Sequence, residues 1–242
     1  MNTIKINRKQ VHMVAHRGAS SLERENTNAA FIAAGNRSYW GIEADVHKAA
    51  DGQYVIIHDD TTFRVSGERC DLNVQEYPFS AFSGLTFPDL DSSFTRRDLR
   101  MPLLAEYIQI CRKYEKTAVL ELKTLFTREE LLEIIQIIQN FYYLPHVVFI
   151  AFDINNCINI RQLLPEQRIQ WLCGDSITEE DLRLLCRYNL DLDIEYHHLS
   201  RKLVGALHSS GLQVNCWTCN DPAEAESLID IGVDFITTNI LE

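Results

Sequence analysis

No stretch of this 242-residue chain is apolar for long enough to cross a bilayer, which argues against a transmembrane helix. The opening segment, Met1 to Gln10, is polar and lacks the apolar centre of a secretory signal. A soluble cytoplasmic protein is therefore expected. Basic residues are in deficit, with 23 Lys and Arg against 34 Asp and Glu and a formal net charge of -11. Phosphate backbones are held by basic surfaces, so nucleic acid is excluded as a partner. A small phosphodiester is not excluded, because it needs only a local positive pocket. No Gly-rich loop follows the first apolar strand, which removes the signature of a dinucleotide-binding open sheet. The lone Cys216-Trp217-Thr218-Cys219 has no second pair, so a four-thiolate zinc site is unsupported. The seven cysteines are odd in number and sit mostly in apolar runs. They read as buried free thiols of a reducing compartment. No repeat, low-complexity tract or linker divides the chain, which is expected to form one domain over residues 1–242.

What is present is an alternation of short apolar runs with amphipathic ones. Strands are predicted at Val11–Ala15, Gly41–Val46, Thr117–Leu122, His146–Ala151, Ile169–Leu172, Leu190–Ile194, Gln213–Trp217 and Phe235–Thr237. Between them the pattern predicts helices at Asn26–Gly35, Leu103–Tyr114, Arg128–Phe141, Ile154–Leu164, Glu179–Tyr188, Ser200–Ser209 and Ala223–Ile231. Thr127 and Asp221-Pro222 have the chemistry of helix starts, Gly211 and Gly232 of helix stops. Parallel neighbours need crossovers, so this alternation implies a parallel sheet. Strand number and even spacing favour a closed (β/α)8 TIM barrel over an open sheet. The chain stops five residues after Thr237. The final outer helix is therefore missing or reduced, or the opening segment covers its place. One stretch breaks the rhythm: Asp51-Gly52 predicts a turn into a further strand, Tyr54–Ile57, and a long polar segment follows to about residue 101. This small insertion after strand two, roughly 60–101, is expected to cap the barrel mouth.

Several strand ends carry polar residues suited to phosphate chemistry. Glu43 and Asp45 are two apart, so on a strand they share a face. Glu121 and Lys123 repeat that spacing at the end of the next barrel strand. Either pair alone reads most simply as a surface ion-pair cluster. Both together, each closing a core strand, make a hard oxygen site suited to Mg²⁺ or Ca²⁺. His16 closes strand one and is followed by Arg17-Gly18, a cation and a flexible backbone. His58 closes Tyr54–Ile57 beside Asp59, a carboxylate able to hold one imidazole nitrogen. Two imidazoles facing one phosphate supply an acid and a base near neutral pH. The remaining histidines, His12, His47, His146, His197, His198 and His208, lack such context. Trp217 ends a late strand, where it serves either as a core residue or as a surface for the alcohol part of a substrate.

These residues in this order resemble the glycerophosphodiester phosphodiesterase family. Val14-Ala15-His16-Arg17-Gly18-Ala19 is similar to its opening motif, Glu25-Asn26-Thr27 to its second, and Gly41 to Asp60 to its metal and histidine motif. Glu121-Leu122-Lys123, Trp217-Thr218 and Gly232-Val233-Asp234 match later landmarks. The resemblance implies a (β/α)8 barrel and metal-dependent hydrolysis of glycerophosphodiesters to sn-glycerol 3-phosphate and an alcohol. It implies His16 and His58 as the acid–base pair, and Glu43, Asp45 and Glu121 as holders of a divalent cation. It implies Arg17 and Lys123 as phosphate ligands, with Glu25 supporting the pocket and Trp217 near the substrate. Five positions depart from the family pattern: Arg24 stands for Pro, Ala49-Ala50 for Thr-Lys, Ala151 for Ser, and Asn239 for Asp. Two other readings use the same residues. One is a phosphatidylinositol-phospholipase-C-like enzyme releasing a cyclic phosphate. The other is a barrel that binds phosphodiesters without cleaving them. A metal-dependent amidohydrolase fits less well, because the expected His-x-His after strand one is absent.

Overall fold

The structure is a computed structural model describing residues 2–242. Nine strands form a single sheet: β1 (His12–Ala15), β2 (Gly41–Lys48), β3 (Tyr54–Ile56), β4 (Thr117–Leu122), β5 (Val147–Ala151), β6 (Arg168–Cys173), β7 (Asp191–Glu195), β8 (Val214–Trp217) and β9 (Phe235–Thr238). β1 pairs in parallel with both β2 and β9, which closes the sheet on itself. With the antiparallel β3 set aside, the remaining strands make the closed eight-stranded parallel barrel that the spacing predicts. Between barrel strands lie α1 (Asn28–Gly35), α2 (Leu104–Lys113), α3 (Arg128–Gln139), α4 (Ile154–Leu163), α5 (Glu179–Tyr188), α6 (Arg201–Ser209) and α7 (Pro222–Ile231).

The helix limits follow from side chains that satisfy orphan backbone groups. Thr127 accepts from the Glu130 amide while the Glu130 carboxylate takes the Thr127 amide, which fixes the start of α3. Asp221 accepts from two amides at the start of α7, and Gly232 ends that helix at φ 98°. α1 begins later than predicted, because Asn26 is held at φ 53° and Thr27 is the cap. Along α3, Leu131, Ile134, Ile135 and Ile138 are buried on one stripe, each worth about 1.5–3 kcal/mol when fully buried. Leu132 belongs to the same apolar run but lies about 100° further round and stays 47% exposed.

Strand alternation divides the barrel into two environments. Ile42, Ala44 and Val46 of β2 pack in one large cluster with helix residues such as Phe31, Leu104 and Ile134. The alternate positions, Glu43 and Asp45, face the lumen. On β4, Leu120 likewise joins the outer cluster, whereas Val119 joins an inner one with Val14, Val148, Ile150, Leu172 and Phe235. A one-residue register slip would put three carboxylates against the helices, so the pattern pins the register.

The predicted gap after the last strand is filled from the other end of the chain. No helix follows β9; instead Ile4 bridges to Leu241, with backbone hydrogen bonds tying Ile4 and Ile6 to Ile240 and Glu242. The segment after β3 departs from expectation. Apart from one 3₁₀ turn at Phe79–Ala81, it is irregular and builds its own small core. Val65, Val74, Phe82, Phe87, Leu99 and Met101 pack against Val55 and Ile57 of the hairpin. Its apolar side chains pack on one another and on the hairpin. No side chain of residues 61–101 lines the cleft that a cap would cover.

Candidate active site

The C-terminal ends of the barrel strands surround a small cleft of about 90 Å³. Its lining includes His16, Arg17, Glu43, His58, Glu121, Asp193 and Trp217. β2 runs on past the barrel rim to Lys48, and β3 returns antiparallel beside it. That hairpin brings the Ile57 amide to the Asp45 carbonyl at 3.0 Å, which sets His58 beside the lumen-facing acids. His47, given no role by its sequence context, is fully buried, with Nε2 3.3 Å from the His58 carbonyl.

Glu43, Asp45 and Glu121 are all buried, and each offers an oxygen within 4.8 Å of the others. Register explains the meeting: Asp45 is the direct cross-strand partner of Glu121. Glu43 Oε1 and Asp45 Oδ1 have no hydrogen-bond donor. Burial, with repulsion from Asp45 and Glu121, pushes the Glu43 carboxyl well up. Burial and Asp45 push Glu121 up in the same way. Asp45 goes the other way: burial opposes its charge, but Lys123, Arg17, His58 and the Asn26 amide outweigh that and hold it low. Three crowded carboxylates with unpartnered oxygens are a hard donor set, and the residues fit a divalent cation.

The two cations lie against this triad. The Arg17 amide donates to Glu43 at 2.7 Å, while its guanidinium reaches Glu25 at 2.9 Å and Asp45 at 3.5 Å. Lys123 Nζ is 2.7 Å from Glu121 and 3.6 Å from Asp45. Glu25 stands behind Arg17 and does not line the cleft. Burial opposes its charge, yet Arg64 and Arg17 hold it at about 2.

The two imidazoles have unequal partners. His16 Nδ1 is 2.7 Å from Asn239 Oδ1, which also accepts the Ser20 hydroxyl. With Asn239 Oδ1 as the acceptor, this contact assigns the donor role to His16 Nδ1 and leaves Nε2 as an acceptor. Burial and the neighbouring Arg17 lower His16 to about 4. His58 Nδ1 instead lies 2.7 Å from the Asp59 carboxylate, which Arg64 holds at about 2. Trp217 meets Phe152 edge-on at 5.6 Å, and these rings with Ile150 and Leu172 form the apolar wall.

Several residues of this site were not singled out from sequence. Asn26 donates to Asp45 at 2.7 Å, and Arg64 pairs with both Glu25 and Asp59. Asp193 lines the cleft. Asn26 lay in the quoted Glu25-Asn26-Thr27 motif without a role, and Asp193 carried the local signal of an acid at an inward position of a buried strand. The Cys216 and Cys219 thiols are buried and unpaired, because Cys216 faces the helices. Among the described residues no helix is long and apolar enough to cross a membrane.

Comparison with known proteins agrees with this geometry. A family model described as the glycerophosphoryl diester phosphodiesterase family matches residues 16–242. A chain named YhdW from Bacillus subtilis is 28% identical, over 95% of this chain and 94% of its own. A glycerophosphodiester phosphodiesterase from Caldanaerobacter subterraneus is 26% identical, over 94% and 93%. The fold is shared with an Oleispira antarctica phosphodiesterase solved with the product sn-glycerol-3-phosphate, at TM-score 0.81 and 23% identity over 97% and 95% of the two chains. It is shared too with a glycerophosphodiester phosphodiesterase from Parabacteroides distasonis, at TM-score 0.76 and 22% identity over 99% and 94%. A (β/α)8 barrel with this cleft at its strand ends, matched by the family model over nearly its whole length, belongs to the glycerophosphoryl diester phosphodiesterase family of enzymes.

Proposed function

We propose that this chain hydrolyses glycerophosphodiesters to sn-glycerol 3-phosphate and an alcohol. The observation that carries this reading is the convergence of two imidazoles, Arg17, Glu43 and Glu121 on one cleft, with Asp45 completing the carboxylate triad and Lys123 paired to it from behind. Glu43, Asp45 and Glu121 would hold Mg²⁺ or Ca²⁺, which supplies charge to draw off the negative charge of a phosphate oxygen. Arg17 and Lys123, which lie against the triad, would supply charge-assisted donors to the phosphate. His16, neutral and with Nε2 open, takes the proton from the attacking oxygen. His58, backed by the Asp59 anion that stabilises an imidazolium, gives a proton to the leaving alcohol. Trp217 and Phe152 pack against the alcohol or glycerol carbons. The whole chain works as one unit, the segment 60–101 steadying the rim through Arg64. The seven unpaired thiols support a place in the reducing cytoplasm.

Glycerophosphocholine incubated with the protein across a titration of Mg²⁺ and Ca²⁺ tests the reading. Release of glycerol 3-phosphate is expected. His16→Ala and His58→Ala should each lower turnover by a factor of about 10³ or more while melting normally. A cyclic phosphate as the end product would assign the phospholipase-C-like reading. Saturable binding with no product would assign a binding barrel.

A further inference from the structure

Below the triad the barrel lumen holds a second polar layer that the hydrolytic mechanism does not use. Gln170, Asp193, Asn215 and Thr237 come from four successive strands, β6 to β9, and all are buried. Asn215 is the hub. Its amide nitrogen donates to Gln170 Oε1 and to Asp193 Oδ2, each at 3.1 Å. Its Oδ1 accepts the Cys216 amide at 2.8 Å and the Thr237 hydroxyl at 3.3 Å. Asn215 is thereby saturated. Asp193 is not: its side chain is 1% exposed, and Oδ1 has no partner.

Among the residues lining the cleft, three carry such an unpartnered buried atom: Arg17, Glu43 and Asp193. Arg17 faces Asp45 and Glu43 belongs to the triad, so Asp193 is the one left without a task. A buried carboxyl oxygen with no donor is costly to leave unpaired, and such a group lining a cleft is explained by a ligand that supplies the missing bond. No Lys, Arg or His side chain makes an ion pair with Asp193 among the described residues. Burial favours its neutral form. A neutral carboxyl offers one donor and one acceptor, which is the complement of a hydroxyl. A cationic head group would require the ionised form, beside the apolar wall that includes Ile150 and Leu172.

We propose that Asp193 is a specificity-determining residue, whose free Oδ1 hydrogen-bonds a hydroxyl of the substrate's glycerol moiety in the cleft. This rests on the phosphodiester reading of the same site. It makes the enzyme select a hydroxylated ester over an equally sized deoxy ester. The deoxy compound leaves Asp193 unpaired while keeping every phosphate contact.

The test is a binding competition in the presence of Mg²⁺ between sn-glycerol 3-phosphate and n-propyl phosphate, which share the phosphate and the carbon chain. The wild-type protein should prefer the glycerol ester by about 10- to 100-fold. Asp193→Leu should reduce that preference to about 3-fold or less, with propyl phosphate binding as before. Asp193→Asn keeps a neutral donor and acceptor and should retain most of the preference, which also answers for a leucine variant that fails to fold. Equal binding of both esters by the wild type overturns the assignment of Asp193 alone. An Asn variant as indifferent as the Leu variant overturns it too, since charge would then be what matters. Failure of either ester to bind at all overturns the phosphodiester reading, and this assignment with it.

Discussion

Asn239 places an uncharged amide oxygen 2.7 Å from Nδ1 of His16. Across the cleft His58 meets a carboxylate at the same distance. The contact lengths match, but the charges do not. An amide orients an imidazole without stabilising its cation, whereas a carboxylate does both. The two rings of this enzyme are thus set apart by the residues behind them.

That difference can be removed. Asn239→Asp puts an anion behind His16, favours its protonated form and raises its pKa from about 4. The acid limb of the kcat/KM–pH profile should then move to higher pH by about one unit. A profile that shifts downward, or does not move, would show that neutral His16 is not the base.

Arg64 joins Glu25 and Asp59 through four hydrogen bonds of 2.7–3.0 Å. Those two acids stand behind Arg17 and His58. Arg64→Ala should cost about 1 kcal/mol or less in stability, since these pairs are half exposed. Turnover should fall more, by about 10- to 100-fold, as both partners lose their fixed orientation. Comparing the melting temperature with kcat checks the separation; a loss of stability that accounts for the whole activity change would refute it.

The triad makes metal-free stability depend on pH in a defined sense. Glu43 and Glu121 have raised folded-state pKa values, from burial and mutual repulsion. Each keeps a proton that the unfolded chain gives up near pH 4.5, so this contribution is intact below that pH and is lost as pH rises toward the folded values. In the presence of a chelator the protein should therefore melt at lower temperature as pH rises from 5 to 8. Adding a divalent cation at about 100 times its Kd should restore about 2.7 kcal/mol. Glu43→Gln should flatten the pH trend and blunt the cation's effect together.

Gly18 follows Arg17 at φ 80°, and a Cβ there would sit 2.6 Å from the Ala30 carbonyl carbon. Backbone cannot yield as a side-chain tip can. Gly18→Ala should destabilise by about 2–4 kcal/mol and also lower activity, because the same turn aims the Arg17 amide at Glu43. Chemical denaturation measures the first effect. An Ala variant as stable as the parent would show that the turn relaxes freely.

The chain's periodicity alone was enough to number and order the elements. β4 and α5 fall on the predicted residues, because alternating and helical apolar patterns record which face meets the core. The spacing of Glu43 with Asp45 placed both in the lumen for the same reason. Packing of the insertion on the hairpin was not legible, since an irregular segment has no period to betray what its apolar residues touch. Nor were Arg64 and Asp193. Arg64 acts on residues far from it in sequence, and Asp193 is defined by a hydrogen bond it lacks. Local sequence therefore determined the barrel and the facing of its acids, through strand and helix geometry. The partner of His58 is its sequence neighbour Asp59, but only tertiary structure decided that Asn239 stands behind His16, because that contact joins residues 223 apart in the chain.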